Sequence, residues 1–420
     1  MSRKFAQPDD GDCGARIRPP PVSGSIASET VQHSAKTARS KVLIVTALRW
    51  WSVMRLALEM SEVGFTVEAA CPRGYQVEKL PFVSASYRYN ALASIAVLRE
   101  TIVTSRPTLV VPCDDYVTRQ LHDIYRTARS SEPDGAWLKT LIARSLGEPD
   151  FFQLVYSRHG LCSLARQLNI PAPRTIPVTA ETLAASLDSI GLPAVLKSDG
   201  SWSGKGVAIV TNRREAKRAF RKLSTPPGVL LTLKRFTLNR DPTLVIRCLR
   251  RAPSAVSGQR FVPGRLANAA VACWQGRVLA SVHVEVLASI GATGPATVVR
   301  VISHPGMSRA VELMVQRLKL SGLCGFDFIL SAEDGSSQLI ELNPRATQTG
   351  HLIAADGKDL LAELLGAIHN SPVVPRGAPV RKPMALFPYQ PGQSEPFQGE
   401  MAIQDIPWNS PELIRLGAGR

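Results

Sequence analysis

The most informative stretch of the chain is GFDFILSAEDGSSQLIELNPR, residues 325–345. Two runs of strand-forming residues flank an acidic turn, which indicates a β-hairpin. Each run carries one acid, Asp327 or Glu341, where an apolar residue is expected. A three-residue loop, 333–335, with Gly335 in the left-handed position gives the most consistent faces. It pairs Phe326 with Leu342, Phe328 with Ile340 and Asp327 with Glu341.

The two carboxylates should repel each other unless a cation lies between them. Asn343 faces the same way, since side chains alternate along a strand. Two acids and an amide suit a hard ion, so the sequence predicts Mg²⁺ or Mn²⁺ at Asp327, Glu341 and Asn343, with nucleotide phosphates as further ligands. Arg345 continues this face and suits an anionic substrate or intermediate. Alternatively, Asp327 pairs with a distant Lys or Arg and Glu341 is exposed.

A glycine-rich loop lies between two predicted strands in LPAVLKSDGSWSGKGVAIV, residues 192–210. It is not a GxxxxGK[ST] phosphate loop, because Gly200 to Gly204 is one residue too short and a strand follows where a helix is required. Its glycines would let backbone N–H groups approach phosphate oxygens, with Lys197 directed at the same phosphates. An ordinary surface hairpin is the alternative interpretation.

The first part of the chain reads as a leader followed by an α/β domain. Residues 1–39 are rich in Pro, Ser, Gly and charge and are predicted to be disordered. From residue 41 onward apolar strands alternate with helices, which predicts a doubly wound parallel sheet in a domain of residues 40–150. Asp114 and Asp115 would lie at its carboxyl edge, where ligands bind, although capping of the next helix is the favoured role. No GxGxxG follows the first strand, so a dinucleotide is not expected.

The second part of the chain, residues 151–390, is predicted to be α+β with antiparallel sheets. A lid lobe is expected at about 175–262 and a metal-binding lobe at about 263–390. Residues 391–420 carry isolated apolar residues and are predicted to pack loosely on the surface or against a second subunit.

Composition narrows the class of protein. The content of 45% hydrophobic and 20% charged residues is ordinary for a globular protein. The net charge of +16 is spread along the chain without a nucleic-acid-binding signature, so it is read as favouring anionic ligands such as ATP. Seven cysteines without CxxC pairs suggest reduced thiols. No signal-peptide core or 18-residue apolar run is found, so a cytoplasmic protein without nucleic-acid or membrane partners is expected.

Four segments together resemble the ATP-grasp superfamily. They are LARQLNIPAPRT (164–175), VLKSDGSWSGKGV (195–207), QRFVPG (259–264), and GFDFIL followed by LIELNPR. The chain looks most like carboxylate-amine ligases and carbamoyl-phosphate-synthetase-like members. The resemblance implies an α/β domain of the pre-ATP-grasp type, then an α+β ATP-grasp fold of two lobes.

The resemblance also implies roles for particular residues. Metal ligands are implied at Asp327, Glu341 and Asn343. Catalytic contacts are implied at Arg345 and Lys197. Apart from the resemblance, Arg300 in GPATVVR is predicted to stabilise the oxyanions of the reaction, with a surface arginine beside a strand as the alternative. ATP contacts are implied at Arg158, Lys197, Asp199, Gly200, Ser201, Ser203, Gly204, Lys205, Gly206, Gln259, Arg260, Phe261 and Val262.

The chain departs from the family pattern in three places. Arg158 stands where many members have a lysine, so its contact with the phosphates is expected to differ from the family's. Arg260 stands where glutamate is common, so the contacts with adenine and ribose are also expected to differ. The basic segment 233–258 is longer than the usual connection and is interpreted as an insertion.

The function implied is an ATP-dependent ligase, using Mg²⁺, that activates a carboxylate as an acyl-phosphate and joins it to an amine. The resemblance also implies a homodimer, because dimers are common in the family. His283 and Glu285 share a strand face and are candidates for lining the substrate cavity. Alternatively, His283 is a core histidine whose hydrogen bonds are satisfied. Two rival functions remain: a nucleotide-binding regulatory or scaffold protein, and an ATP-grasp phosphotransferase with a hydroxyl acceptor.

Overall fold

A computed structural model describes residues 40–90, 95–198, 206–225, 254–291, 294–389 and 402–418. The helices within these ranges are α1 Trp51–Glu62, α2 Ile95–Ser105, α3 Asp115–Thr127, α4 Gly135–Leu146, α5 Arg158–Gln167, α6 Leu183–Ile190, α7 Arg213–Ser224, α8 Pro305–Leu318, α9 Leu360–His369 and α10 Pro411–Ala418. No helix in these ranges is long and apolar enough to cross a membrane.

The strands fall into three sheets. They are β1 Lys41–Val45, β2 Thr66–Cys71, β3 Val83–Arg88, β4 Leu109–Pro112, β5 Thr175–Val178, β6 Ala194–Ser198, β7 Val207–Val210, β8 Val256–Arg260, β9 Gly264–Trp274, β10 Arg277–Ser289, β11 Ala296–Ile302, β12 Gly322–Ser331, β13 Ser337–Asn343, β14 Met384–Leu386 and β15 Ile403–Asp405.

The N-terminal sheet is parallel, in the order β3-β2-β1-β4. Alternate residues of β1 enter different cores, because successive side chains point to opposite faces. Val42 and Ile44 pack with α1, whereas Leu43 and Val45 pack with α2, α3 and α4. Helices therefore cover both faces, which confirms the predicted doubly wound α/β class. The strand β3 was not anticipated from the sequence.

The second sheet is small and antiparallel, in the order β5-β8-β6-β7. Its inner face packs on α6 and α7 through Leu196, Val210 and Val256. The third sheet has the order β13-β12-β9-β10-β11-β14-β15. Its β9–β13 part is antiparallel, with α8 on one face and α9 with α1 on the other. The predicted α+β class of the second part is confirmed.

The hairpin β12–β13 pairs Asp327 with Glu341, but not by the predicted route. Phe328 lies opposite Leu339 rather than Ile340, and the register shifts between Asp327 and Phe328. A β-bulge at this point absorbs the extra residue, whereas the sequence argument assumed a regular ladder. The turn also differs: Ser331 donates its N–H to the Ser336 carbonyl, closing a longer loop in which Gly335 has φ +70°. The prediction for Gly335 is confirmed, and the three-residue loop is wrong.

The end of the chain is integrated into the fold. The strand β15 pairs in parallel with β14, and Leu413 of α10 is completely buried in the core that contains α1. Asp405 forms an ion pair with Arg55 and a hydrogen bond with His351. The expectation of a loosely packed tail is therefore wrong for residues 402–418. Isolated apolar residues gave no periodic signal, because β15 has only three residues and α10 only eight.

Candidate nucleotide and metal site

One face of the large sheet collects the acids of the hairpin. Asp327 lies opposite Glu341 on β13 and opposite Asn268 on β9. Asn343 lies opposite Gly325, two residues before Asp327, so it shares their face. The register therefore brings together the three side chains predicted to hold a metal and adds Asn268, which the sequence analysis did not single out.

Hydrogen bonds fix the Asp327 carboxylate from both sides. Asn268 Nδ2 donates to Oδ1 at 2.5 Å, and Asn343 Nδ2 donates to Oδ2 at 3.1 Å. Burial, together with the charge of Glu341, nevertheless raises the pKa of Asp327 to about 6. The two amides thus do not compensate fully for the charge that this face concentrates.

A hard cation fits this donor set. The described residues contain no group of three or more His, Cys, Asp or Glu side chains placed to hold a metal ion. The set is instead two carboxylates, Asp327 and Glu341, completed by the amide oxygen of Asn343. Oxygen donors of this kind suit Mg²⁺ or Mn²⁺ that takes its other ligands from phosphates.

Basic side chains face the acids. Arg158 begins α5, is 8% exposed, and donates from Nη2 to Glu341 Oε1 at 2.9 Å. It also donates to the Ser198 carbonyl at the end of β6. Lys197 of β6 is 5% exposed, and its pKa is lowered by burial against the opposing effect of Glu341. Two buried cations therefore stand beside two acids, an arrangement that suits a polyanion bridged by a metal.

Lys197 belongs to the outer face of the small sheet. It lies opposite Ser257 on β8, and Gln259 lies opposite Val195 and Thr175. Leu196 and Val210, of the other parity, enter the lid core. Ser257 is 4% exposed, and its hydroxyl has no hydrogen-bond partner among the described residues. The face that carries Lys197 thus holds further polar side chains for a ligand.

Arg345 is held where β13 leaves the sheet. Its Nε donates to Asp115 Oδ1 at 3.2 Å, and its Nη2 donates to Asn343 Oδ1 at 3.2 Å. Burial lowers the pKa of Arg345, but the surrounding carboxylates, Asp115 first, raise it above its ordinary value. Asp114 caps α3, accepting from the Val117 N–H at 2.9 Å, which confirms the capping interpretation. Asp115 instead reaches the candidate site.

Comparison with solved structures adds the fold family. N5-carboxyaminoimidazole synthase from Aspergillus clavatus, in complex with ADP and 5-aminoimidazole ribonucleotide, superimposes with a TM-score of 0.57 at 14% identity over 82% of this chain and 80% of that chain. The biotin carboxylase domain dimer of Hydrogenobacter thermophilus 2-oxoglutarate carboxylase, with MgADP, ADP and bicarbonate, gives 0.54 at 13% identity over 81% and 71%. The Thermotoga maritima N5-carboxyaminoimidazole ribonucleotide synthetase gives 0.54 at 15% identity over 82% and 79%.

The protein has the ATP-grasp fold. At 10–15% identity the likeness establishes the fold and not the substrate. No protein-family model and no curated protein matches the sequence.

Within the ATP-grasp fold, Arg300 does not reach the metal face. Arg300 lies opposite Glu285 on β10. The next pair along these strands, Val301 and Val284, lies in the same row across the sheet as Asn268, which faces the metal site. Because side chains alternate, Arg300, Glu285 and His283 project from the other face of the sheet. This placement is against the role predicted for Arg300, which was to stabilise the oxyanions of the reaction beside Arg345. Sequence spacing could not reveal this, since the face depends on register across four strands.

His283 and Glu285 are core residues rather than cavity residues. His283 is 4% exposed, and burial lowers its pKa to about 4. Glu285 is 4% exposed and forms an ion pair with Arg265. Both side chains are buried, but His283 Nε2 has no hydrogen-bond partner among the described residues, so the expected satisfied core histidine is only partly confirmed.

Part of the segment predicted to bind adenine, residues 259–262, makes contacts within the protein itself. Gln259 is 2% exposed and donates to Thr175 Oγ1 at 2.9 Å, whereas Arg260 is exposed on β8. Phe261 and Val262 follow the strand and are half-buried. Gly206 accepts from the Ser198 N–H at 2.8 Å, which ties the end of the glycine-rich loop to β6. Six predicted ATP contacts lie outside the described residues: Asp199, Gly200, Ser201, Ser203, Gly204 and Lys205.

Asn268 and Asp115 are the site residues that sequence reasoning missed or left undecided. A single asparagine in the apolar run LANAAVAC was a signal, because a polar side chain in a buried strand needs a polar partner. The partner of Asp115 could not be inferred, since Arg345 lies 230 residues away in the chain.

Proposed function

We propose that the protein is an ATP-dependent ligase that activates a carboxylate as an acyl-phosphate and joins it to an amine. The observation that carries the proposal is the meeting of Asp327, Glu341 and Asn343 on one sheet face with Lys197 and Arg158 beside them. Several of the structures that share the fold contain ADP, ATP or MgADP, which supports a nucleotide in this position.

The proposed chemistry has two steps. A carboxylate oxygen attacks the γ-phosphorus of ATP, and the bond to the β-phosphate oxygen breaks to release ADP. An amine then attacks the acyl carbon, inorganic phosphate leaves, and the amine proton passes to solvent. A bound Mg²⁺ would supply neutralisation of phosphate charge.

The residues of this chain would orient the reactants. Lys197 and Arg158 would neutralise phosphate oxygens as negative charge moves from the γ- to the β-phosphate. Arg345 would bind the acyl-phosphate oxygens, and its contacts with Asp115 and Asn343 fix its orientation beforehand. Asn268 would hold Asp327 in place. Such preorganised groups act without reorganisation during the reaction.

We propose that the protein works in the cytoplasm on small-molecule substrates, and we predict that it forms a homodimer. The structure with a biotin carboxylase domain is described as a dimer, which supports testing the oligomeric state of this chain.

The test is an ADP-release screen with Mg²⁺ over pairs of small carboxylic acids and amines. We expect ADP release that requires both partners, and a loss of at least about 100-fold in Glu341→Gln, because one unit of ligand charge is removed at the reacting phosphates. Glu333→Gln is the matched control, since Glu333 lies exposed in the same hairpin.

Each other outcome points elsewhere. Equal rates in the wild type and Glu341→Gln would refute the site. ATP binding without turnover over the whole panel would favour a regulatory or scaffold protein. ADP formed together with a phosphorylated alcohol would favour a phosphotransferase.

A further inference from the structure

A cleft opens beside the candidate metal face, between the N-terminal domain and the large sheet. The cleft is open to solvent. The lining comes from the start of α3, the segment that enters α5, and the end of β13. Glu341 and Arg158 form one wall, so anything bound in the cleft would lie next to the predicted metal and phosphates.

Side-chain contacts run around this cleft. Asp115 and Arg119 lie four residues apart on α3 and so share a helix face. The Arg119 guanidinium lies over the Tyr156 ring, 4.3 Å from its centroid. Arg158 follows Tyr156 by two residues in the chain, and its Nη2 lies 2.9 Å from Glu341 Oε1. The rim thus consists of fixed groups rather than free side chains.

Most charges on this rim are already neutralised. Asp115 is paired with Arg345, and Glu341 with Arg158. Arg119, which is exposed, forms no ion pair with any acid among the described residues. The cleft therefore offers no uncompensated acid to an ammonium group, while one guanidinium is available to a ligand. Its position over Tyr156 restrains it by a cation–π contact, which reduces the entropy lost on binding.

A metal would make the cleft more attractive to anions. If Glu341 binds a metal, the metal neutralises that carboxylate, and the Arg158 guanidinium can then act on phosphate oxygens. The wall beside Glu341 then favours an anionic group of the ligand. A second anionic group of the same ligand could contact Arg119, and the width of the cleft would set the distance between the two groups. A guanidinium recognises a carboxylate through two parallel N–H donors, which makes Arg119 a suitable anchor.

We propose that this cleft binds the acid substrate, that the substrate is a small dicarboxylate, and that Arg119 anchors the carboxylate that does not react. The other carboxylate lies toward Arg158 and Glu341, where the γ-phosphate is placed. This inference rests on the proposed ligase function and extends it to a class of acid. Arg119 is then a specificity-determining residue on the N-terminal domain.

The direct test is calorimetric binding of malonate, succinate and glutarate to the full-length protein with MgADP, beside acetate and ethylamine. We expect at least one dicarboxylate to bind at least about 10-fold more tightly than acetate, and ethylamine not to compete. Arg119→Gln should weaken that binding by about 10- to 100-fold, the loss typical of a charge-assisted hydrogen-bond pair. Arg119→Lys should restore part of it, since charge remains without the fork.

The matched control is Arg126→Gln, because Arg126 is exposed on the same helix and pairs with Asp123. It should bind like the wild type. The inference is overturned if no dicarboxylate binds more tightly than acetate, or if Arg119→Gln and Arg126→Gln behave alike.

The same set of proteins separates this inference from the ligase proposal. Mg-dependent ADP release that is lost in Glu341→Gln, with the acid KM unchanged in Arg119→Gln, overturns the cleft assignment alone. Dicarboxylate binding that depends on Arg119, without any ATP turnover, supports the cleft and overturns the ligase. With a turning-over acid, Arg119→Gln should raise the KM for the acid and leave the KM for ATP unchanged.

Discussion

At the residue scale, Gly325 shows how tightly the metal face and the loop after it are packed. A Cβ at this position would lie 2.3 Å from Thr347 Cγ2 and 3.3 Å from the Ala269 carbonyl oxygen. Threonine is stiff at χ1, so it cannot simply rotate away. Thr347 follows Arg345 by two residues, and the clash would be transmitted to that loop.

We therefore expect Gly325→Ala to lower the free energy of unfolding by about 1–3 kcal/mol and to reduce ADP release. The control is Gly335→Ala, where φ is +70° and no atom lies within 4 Å of the added Cβ. It should cost about 1 kcal/mol through the backbone alone and leave ADP release unchanged. Urea unfolding and the turnover assay measure both effects; an active, fully stable Gly325→Ala protein would contradict the packing described.

At the element scale, the hairpin and the C-terminal segment show what the sequence could and could not reveal. The pairing of Asp327 with Glu341 was predicted from the alternation of side chains, but the loop assumed for it was one residue too short, and the bulge compensates for the difference. The bulge that shifts Phe328 onto Leu339 was not, since no local residue type demanded it. The strand β15 escaped prediction because its three residues depend on pairing with β14, which is a tertiary contact.

A buried cluster of Asp405, Arg55 and His351 holds the C-terminal segment against the rest of the fold. Asp405 accepts from Arg55 of α1 at 3.2 Å and contacts His351 at 2.7 Å. Burial alone raises the pKa of Asp405, but His351 and Arg55 together hold it below the ordinary value of 3.8. A carboxyl whose folded-state pKa is depressed adds stability above its unfolded-state pKa, and this contribution is lost as the pH falls through the folded-state value.

Asp405→Asn should accordingly lose about 2 kcal/mol of unfolding free energy at neutral pH, because the buried Arg55 loses one of its two carboxylate partners and His351 loses a charged hydrogen-bond partner. The difference from the wild type should shrink as the pH falls below 3.8. The control, Glu412→Gln, removes an exposed pair with Arg415 on α10 and should change stability by less than about 1 kcal/mol at any pH. Chemical unfolding across pH measures this, and a pH-independent difference would count against the cluster.

At the scale of the whole molecule, the predicted domains share a core. Val42 and Ile44 of β1 and Met54 of α1 pack in the same cluster as Val282 and Val284 of β10. The small sheet has a separate cluster with α6 and α7. The α/β and α+β classes followed from the sequence pattern, whereas this shared core did not, because helix faces do not reveal which sheet they cover.

Native-state hydrogen exchange should reflect this division. Amides of β1 and β10 should exchange through openings of similar free energy, because neither keeps its core without the other. Amides of β6 and β8 should exchange through a smaller opening, and MgATP should slow them most if the nucleotide binds at Lys197. Exchange of β1 through its own low-energy opening would contradict the shared core.

The central claim is that a metal on one sheet face joins ATP to this fold. Calorimetric titration of ATP into the wild type, Glu341→Gln and Glu333→Gln, each with and without Mg²⁺, tests it most directly. We expect Mg²⁺ to strengthen ATP binding by at least about 10-fold in the wild type and in Glu333→Gln, and to have much less effect in Glu341→Gln. Equal Mg²⁺ dependence in all three proteins would contradict it.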